Sequence, residues 1–208
     1  MRLFYALKID LDELPEITNS LRKLKKDAVS KEWALKFTPA ENLHVTLNFL
    51  GEVEDRHLPR LCEIGESVIS KHASFSLKIS GFDAFPEIQH ARVIWAGVQN
   101  KKNLQSVYED LQAELGFLNL TPEFGYTPHL TLARLRNPHS VKNFLSPFVR
   151  KNFGTIDCDE VGLFKSEQRG LYPHYELIQS FCFRTASEVP SIHSDDVFSS
   201  ESDLKKIP

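Results

Sequence analysis

The chain has little that would mark it as a disulfide scaffold, a metal-folded domain or a membrane protein. It holds three cysteines in 208 residues, Cys62, Cys158 and Cys182. Their number is odd and no two lie close together, which fits neither a disulfide framework nor a zinc spacing. A reducing, cytoplasmic setting is the expectation that follows. No stretch approaches the roughly 20 apolar residues that a membrane span needs. The opening segment, MRLFYALKID, has only a short apolar run with Asp10 close behind it, so it reads as a strand and not as a signal peptide. A surplus of one charge is also missing. The formal net charge is −3, yet Ala186–Pro208 alone carries five acids against two bases, and the rest of the chain carries 23 of each. A neutral body lacks the cations needed to wrap long duplex nucleic acid. It stays compatible with a short, singly anionic ligand held in a small basic pocket.

What is present is an ordinary globular composition, 41% hydrophobic and 25% charged, with 15 phenylalanines to fill a core. The length suits one compact domain or two closely packed lobes. Residues 2–9 read as a strand. Asp10 and Glu13 resemble a capping box ahead of a helix whose stripe is Leu14, Ile17, Leu21 and Leu24. LHVTLNFL (43–50) reads as a strand ended by Gly51. Leu58, Leu61, Gly65, Val68 and Ile69 predict a second helix. Phe75, Leu77 and Ile79 alternate with polar residues as in a half-buried strand, and 91–98 is another. Leu104, Val107, Tyr108, Leu111 and Leu115 form a helical stripe closed by Gly116. HLTLARL (129–135) is a strand. Asn137-Pro138 looks like the start of a helix burying Val141, Phe144, Leu145 and Phe148. Strands are expected over 156–165 and 175–184. The mixture predicts an α+β class, with residues 1–185 as one bilobal domain and 186–208 as an acidic, Ser-rich, disordered tail.

A weak internal duplication organises the chain. ENLHVTLNFLGE and YTPHLTLARLRN each hold a strand of the form His-apolar-Thr-apolar, followed by a loop and a helix. Side chains alternate faces along a strand. His44 and Thr46 therefore share one face and Val45 and Leu47 the other; His129 and Thr131 are likewise opposed to Leu130 and Leu132. Two lobes facing each other across a cleft would bring two imidazoles and two hydroxyls around one small space. That set suits in-line displacement at phosphorus, where a base on one side takes a proton from water and an acid on the other gives one to the leaving oxygen. Histidine serves both roles because its pKa, about 6.5, lies near working pH. Thr46 and Thr131 could donate hydrogen bonds to the non-bridging oxygens, where charge grows.

A single His-x-Thr on a strand is more often structural than catalytic. Two copies on matching strands reverse that balance. His57, His72, His90, His139, His174 and His193 sit in no such frame and read as surface or incidental positions. A metal centre is the main competing reading of paired histidines. Zinc, however, takes three or four protein ligands, often with one close pair, and neither motif has a carboxylate or second His at a neighbouring same-face position. Asn48, which shares the parity of His44, is a poor ligand.

The paired motifs, with RLFYALKID, PAENLHVTLNFLGEV, FDAFPEIQHARVIWAGV and GYTPHLTLARLR, resemble the RNA 2′,3′-cyclic phosphodiesterases, or 2′-5′ RNA ligases, of the two-histidine phosphoesterase superfamily. The resemblance runs over residues 1–184. It implies two pseudo-symmetric lobes of mainly antiparallel sheet with outer helices, enclosing a central cleft lined by the two HXTX motifs. It implies hydrolysis of an RNA 2′,3′-cyclic phosphate end to a 2′-phosphate and free 3′-hydroxyl, with His44 as proton donor to the 3′ oxygen and His129 activating water. The reverse reaction would give 2′-5′ ligation. The implied enzyme needs no cofactor and no metal and binds RNA ends; the chain's own features add the expectation of no membrane partner, and a monomer is expected although the sequence does not fix the oligomeric state. Arg134 follows the second motif where relatives often carry a basic residue, but strict alternation puts it on the apolar face, so a bulge or the strand's end must re-aim it. Phe49 and Tyr126 are further substrate-binding candidates for stacking on a base, although core packing is the role expected first for Phe49. Arg22, Lys23, Lys25 and Lys26 could attract RNA or simply form a solvated helix face. Other readings of the same residues are a phosphodiesterase for small cyclic nucleotides, ADP-ribose cyclic phosphates or 2′-5′ oligoadenylates, and a non-catalytic RNA-end binding module.

Overall fold

Hydrophobic alternation builds most of the molecule. The computed structural model describes residues 1–31, 33–119 and 125–185. Among them nine strands form one sheet: β1 (Arg2–Lys8), β2 (Leu35–Phe37), β3 (His44–Glu52), β4 (Phe75–Phe85), β5 (Ala91–Val98), β6 (His129–His139), β7 (Asn152–Cys158), β8 (Glu160–Arg169) and β9 (Tyr172–Cys182). Their spatial order is β7-β4-β5-β6-β3-β1-β8-β9, with β2 added along β6, and every pairing between them is antiparallel. The two expected lobes are thus the halves of one curled sheet. They meet at the β3–β6 seam, where Val45 faces Leu130.

Helices cover the apolar side. In α1 (Pro15–Ser30) proline opens the first turn, where its missing N–H costs nothing, and Ile17, Leu21, Leu24 and Ala28 form the buried stripe that packs on β7. α2 (Leu58–Ile69) lies on β8 and β9, and α3 (Lys102–Glu114) packs on α2 and β3. α2 can approach so closely because Gly65 has no side chain. A Cβ there would stand 2.5 Å from the ring of Phe181, itself fully buried. Valine at this position would gain a few tenths of a kcal/mol in helix propensity, against an overpacking cost of ~1–3 kcal/mol. Gly65→Val is therefore expected to lower the thermal midpoint, and an unchanged midpoint would refute the tight fit.

Several sequence expectations need correction. Asp10 does cap, but it accepts from the Asp12 amide and closes a single 3₁₀ turn over Leu11–Glu13; α1 begins after it. Gly51 does not end β3, which continues through it with φ +66 to Glu52. Gly116 does not close α3; a 3₁₀ turn over Leu115–Leu118 follows, and Asn119 takes the left-handed conformation, φ 52. Asn137 and Pro138 are not a helix start. They extend β6 to His139, and the expected buried face forms around a four-residue helix, α4 (Lys142–Leu145). The expected strand over 156–165 is two strands, β7 and β8, separated at Asp159. The tail from 186 onward, with His193, lies outside the described residues. No helix among the described residues is long and apolar enough to cross a membrane.

Candidate active site

The two motifs sit side by side at the seam. With Val45 opposite Leu130 in an antiparallel pair, counting outward sets His44 across from Thr131 and Thr46 across from His129. All four are half-buried, while Val45, Leu47, Leu130 and Leu132 are buried beneath them. The polar faces therefore converge on the open side of the sheet.

Each imidazole is fixed in the same way. His44 Nδ1 donates to the carbonyl of Asn42 at 2.7 Å, and His129 Nδ1 donates to the carbonyl of Thr127 at 2.7 Å. A carbonyl only accepts, so Nδ1 carries the proton in both rings and Nε2 is left to exchange one. Aromatic neighbours hold the ring planes: Phe4 and Tyr175 around His44, at 5.1 and 5.2 Å, and Phe85 and Trp95 around His129, at 5.0 and 5.9 Å. Asn42 does more than accept. Its side-chain amide donates to the Pro173 carbonyl at 2.8 Å, tying the approach to β3 to the strand that carries Tyr175.

Burial lowers both imidazoles below their ordinary pKa, and the carbonyl bonds oppose the shift. For His44 the charge of His129 and then that of Arg134 lower it further; for His129 Arg134 does the same. One guanidinium thus acts on both rings. Arg134 reaches that place through a bulge. Ile94 pairs with Ala133 and Trp95 with Thr131, so Leu132 is skipped in the β5–β6 ladder. The extra residue reverses the alternation, and Arg134 returns to the face of His129, exposed. The first motif has the same device. Tyr5 pairs with Asn48 and Ala6 with Thr46, skipping Leu47, and Phe49 comes back to the open face, 51% exposed.

Core packing is accordingly not the role of Phe49; it lies in the position matching Arg134, with the Arg2 guanidinium 4.9 Å above its ring. Tyr126 differs from the expectation in the opposite sense. Tyr108 stacks against it at 4.0 Å and 3° between planes, and its hydroxyl donates to the Thr46 carbonyl at 3.3 Å. With one ring face covered, it braces the approach to the second motif against β3, the strand of the first. Asn42, Phe4, Phe85, Trp95 and Tyr175 were not singled out by any motif. Among the described residues no three His, Cys, Asp or Glu side chains cluster in a way that could hold a metal ion.

Comparisons with known proteins agree with this architecture. Residues 13–170 match the 2′-5′ RNA ligase superfamily. A Methanothermobacter thermautotrophicus protein named RNA 2′,3′-cyclic phosphodiesterase is 28% identical over 184 residues, 87% of this chain and 99% of its own. An Archaeoglobus fulgidus protein of the same name is 32% identical over 187 residues, again 87% of this chain and 99% of its own. A solved structure from Thermus thermophilus overlays with a TM-score of 0.72 at 27% identity, covering 89% of this chain and 100% of that one. Escherichia coli LigT in its apo form shares the fold, with a TM-score of 0.66 at 22% identity over 88% of this chain and 96% of that one. On the superfamily match and these relatives together, the chain belongs to the 2′-5′ RNA ligase superfamily.

Proposed function

We propose that this protein hydrolyses 2′,3′-cyclic phosphate ends of RNA to a 2′-phosphate with a free 3′-hydroxyl, by general acid–base catalysis without a metal ion. The observation that carries the reading is the pair of imidazoles on adjacent strands, each with Nδ1 tied to a carbonyl and one arginine acting on both. Binding alone needs no such pair.

In this reading Nε2 of His129 takes a proton from water as the oxygen attacks phosphorus. The P–O3′ bond breaks on the opposite side, and Nε2 of His44 gives its proton to the leaving oxygen. Thr46 and Thr131 donate to the non-bridging oxygens, and Arg134 balances their charge. His44 must hold a proton that its surroundings disfavour. The substrate supplies the remedy, since a phosphodiester anion beside the ring stabilises the imidazolium. A divalent cation at the same place would meet the Arg134 charge and find no third His, Cys, Asp or Glu ligand among the described residues. Every group this reading uses lies on a single chain, so the proposed reaction calls on no residue of a second copy. Run backwards, the same groups would join a cyclic end to a 5′-hydroxyl through a 2′-5′ bond.

The test is a product analysis. A 2′,3′-cyclic-ended oligonucleotide incubated in excess EDTA is expected to yield a 2′-phosphate, distinguished from the 3′-phosphate by its NMR signal. A 3′-phosphate product, or turnover abolished by EDTA and restored by a divalent metal, would overturn the mechanism. Turnover of small cyclic nucleotides with a higher kcat/KM than any RNA end would reassign the substrate.

A further inference from the structure

Past His44 the open face of the sheet continues into a cavity of about 270 Å³, at the small end of ligand sites. Gly162 of β8 pairs with Ser180 of β9 along its floor. One wall is apolar. Phe164 stacks on Phe4 at 5.4 Å, Tyr175 stands edge-on to Phe4 at 5.0 Å, and Leu177 beside them is 51% exposed. The wall depends on bare backbone at Gly162, where a Cβ would fall 2.4 Å from the Phe164 ring and 2.9 Å from Leu177. The lining also carries the exposed carboxylates Glu41, Asp159 and Glu160, with Asp157 bonded to Ser76 and one cation, Lys8, beside them. Beside His129, in contrast, Phe85 and Trp95 stack on each other at 4.9 Å.

We infer that this cavity takes the terminal nucleoside of the RNA end and prefers a base with an exocyclic amino group to uracil. The inference rests on the cyclic-phosphate reading above and extends it. In an in-line displacement the leaving 3′ oxygen belongs to the terminal ribose, and water attacks from the far side. The nucleoside must then lie on the side of the acid. The cavity opens beside His44, which gives a geometric reason, independent of any resemblance, for His44 to be the donor.

The lining selects within that class. Aromatic and apolar walls stack on any base. Carboxylates accept from amino groups, as they do from cytosine N4, whereas the corresponding edge of uracil presents a carbonyl oxygen that a carboxylate repels. The upstream strand leaves past Tyr175, where the cations Arg134 and Arg2 both lie close enough to act on that ring's hydroxyl.

The experiment measures binding of adenosine 2′-monophosphate and uridine 2′-monophosphate by calorimetry, in parallel with kcat and KM for cyclic-ended RNAs that differ in the last base. The adenosine nucleotide is expected to bind at least ~10-fold tighter, the scale of one good base-edge contact. Ser180→Phe, which fills the floor, and Leu177→Ala, which opens the exposed wall, should each weaken it; the second keeps the test alive if the first does not fold. Asp159→Asn with Glu160→Gln should erase the preference for adenosine without loss of the thermal midpoint. Equal affinity for the two nucleotides, or adenosine binding untouched by both cavity variants, overturns the subsite. If binding behaves as expected while no cyclic end is turned over, the phosphodiesterase reading falls and the subsite stands. If cyclic ends are turned over with KM unchanged in both cavity variants, the subsite falls and that reading stands.

Discussion

Replacing either His44 or His129 with alanine is expected to reduce kcat/KM on a 2′,3′-cyclic-ended oligonucleotide by ~10²–10⁴-fold, the contribution of one positioned proton transfer. The loss should fall on kcat, because each ring is proposed to act on protons that move only in the transition state. Substituting both should cost much less than the product of the single losses, since an acid and a base serving one displacement act as a unit. The fold should survive. Both side chains are half-buried on the open face, and the apolar residues between them, Val45 and Leu130, hold the seam. Circular dichroism of each variant checks this. His44→Ala does remove a ring held between Phe4 and Tyr175, so a modest fall in thermal midpoint is expected there. Undiminished turnover in either variant would sink the acid–base assignment.

The site was legible in the sequence to the extent that it is local. His44, Thr46, His129 and Thr131 share faces by simple alternation, and the structure keeps those faces. What alternation could not decide was Arg134 and Phe49, which lie beyond the bulges. A signal was present. The buried leucines after each threonine are spaced by three rather than two, Leu47 to Leu50 and Leu132 to Leu135, and an apolar spacing of three within a strand marks an inserted residue. Read that way, both side chains return to the open face without appeal to the strand's end.

Other parts of the site were not legible because their sequence separation is large. Tyr175 reaches His44 through β9, and Asn42 reaches Pro173 across 131 positions. Nothing in the local composition of either segment announces the contact. The errors in secondary structure have a local cause. Asn137-Pro138 is a plausible helix start by chemistry, yet it lies at the exposed end of β6, where a proline's missing donor is tolerated. The β7–β8 break was hidden because Ile156, Cys158, Val161 and Leu163 are all buried apolar positions, so the turn at Asp159 interrupts no polar stretch long enough to be noticed.

Arg134 yields the second large effect, with a readout that a surface arginine would not give. Its charge lowers both imidazoles after burial has done so. Arg134→Met is therefore expected to act twice. If Arg134 donates to the developing phosphate charge as proposed, its loss should lower kcat by ~10²–10³-fold, the scale found for single preorganised donors. Stability should stay within about 0.5 kcal/mol, as for an exposed side chain. The pH profile of kcat/KM should also move. It reports the essential acid and base of the free enzyme, and its two limbs belong to the pair of rings, not to either one. Removing a positive neighbour makes each imidazolium easier to form, so both apparent pKa values rise toward the ordinary value of about 6.5. The acidic limb, where the base becomes protonated, and the alkaline limb, where the acid loses its proton, should both shift to higher pH. Arg134→Lys keeps the charge but not the planar fork; it should leave the limbs near their original positions while still lowering kcat. A methionine variant with reduced rate and unmoved limbs would mean that Arg134 touches the phosphate but not the histidines, and limbs that move at full rate would mean the reverse.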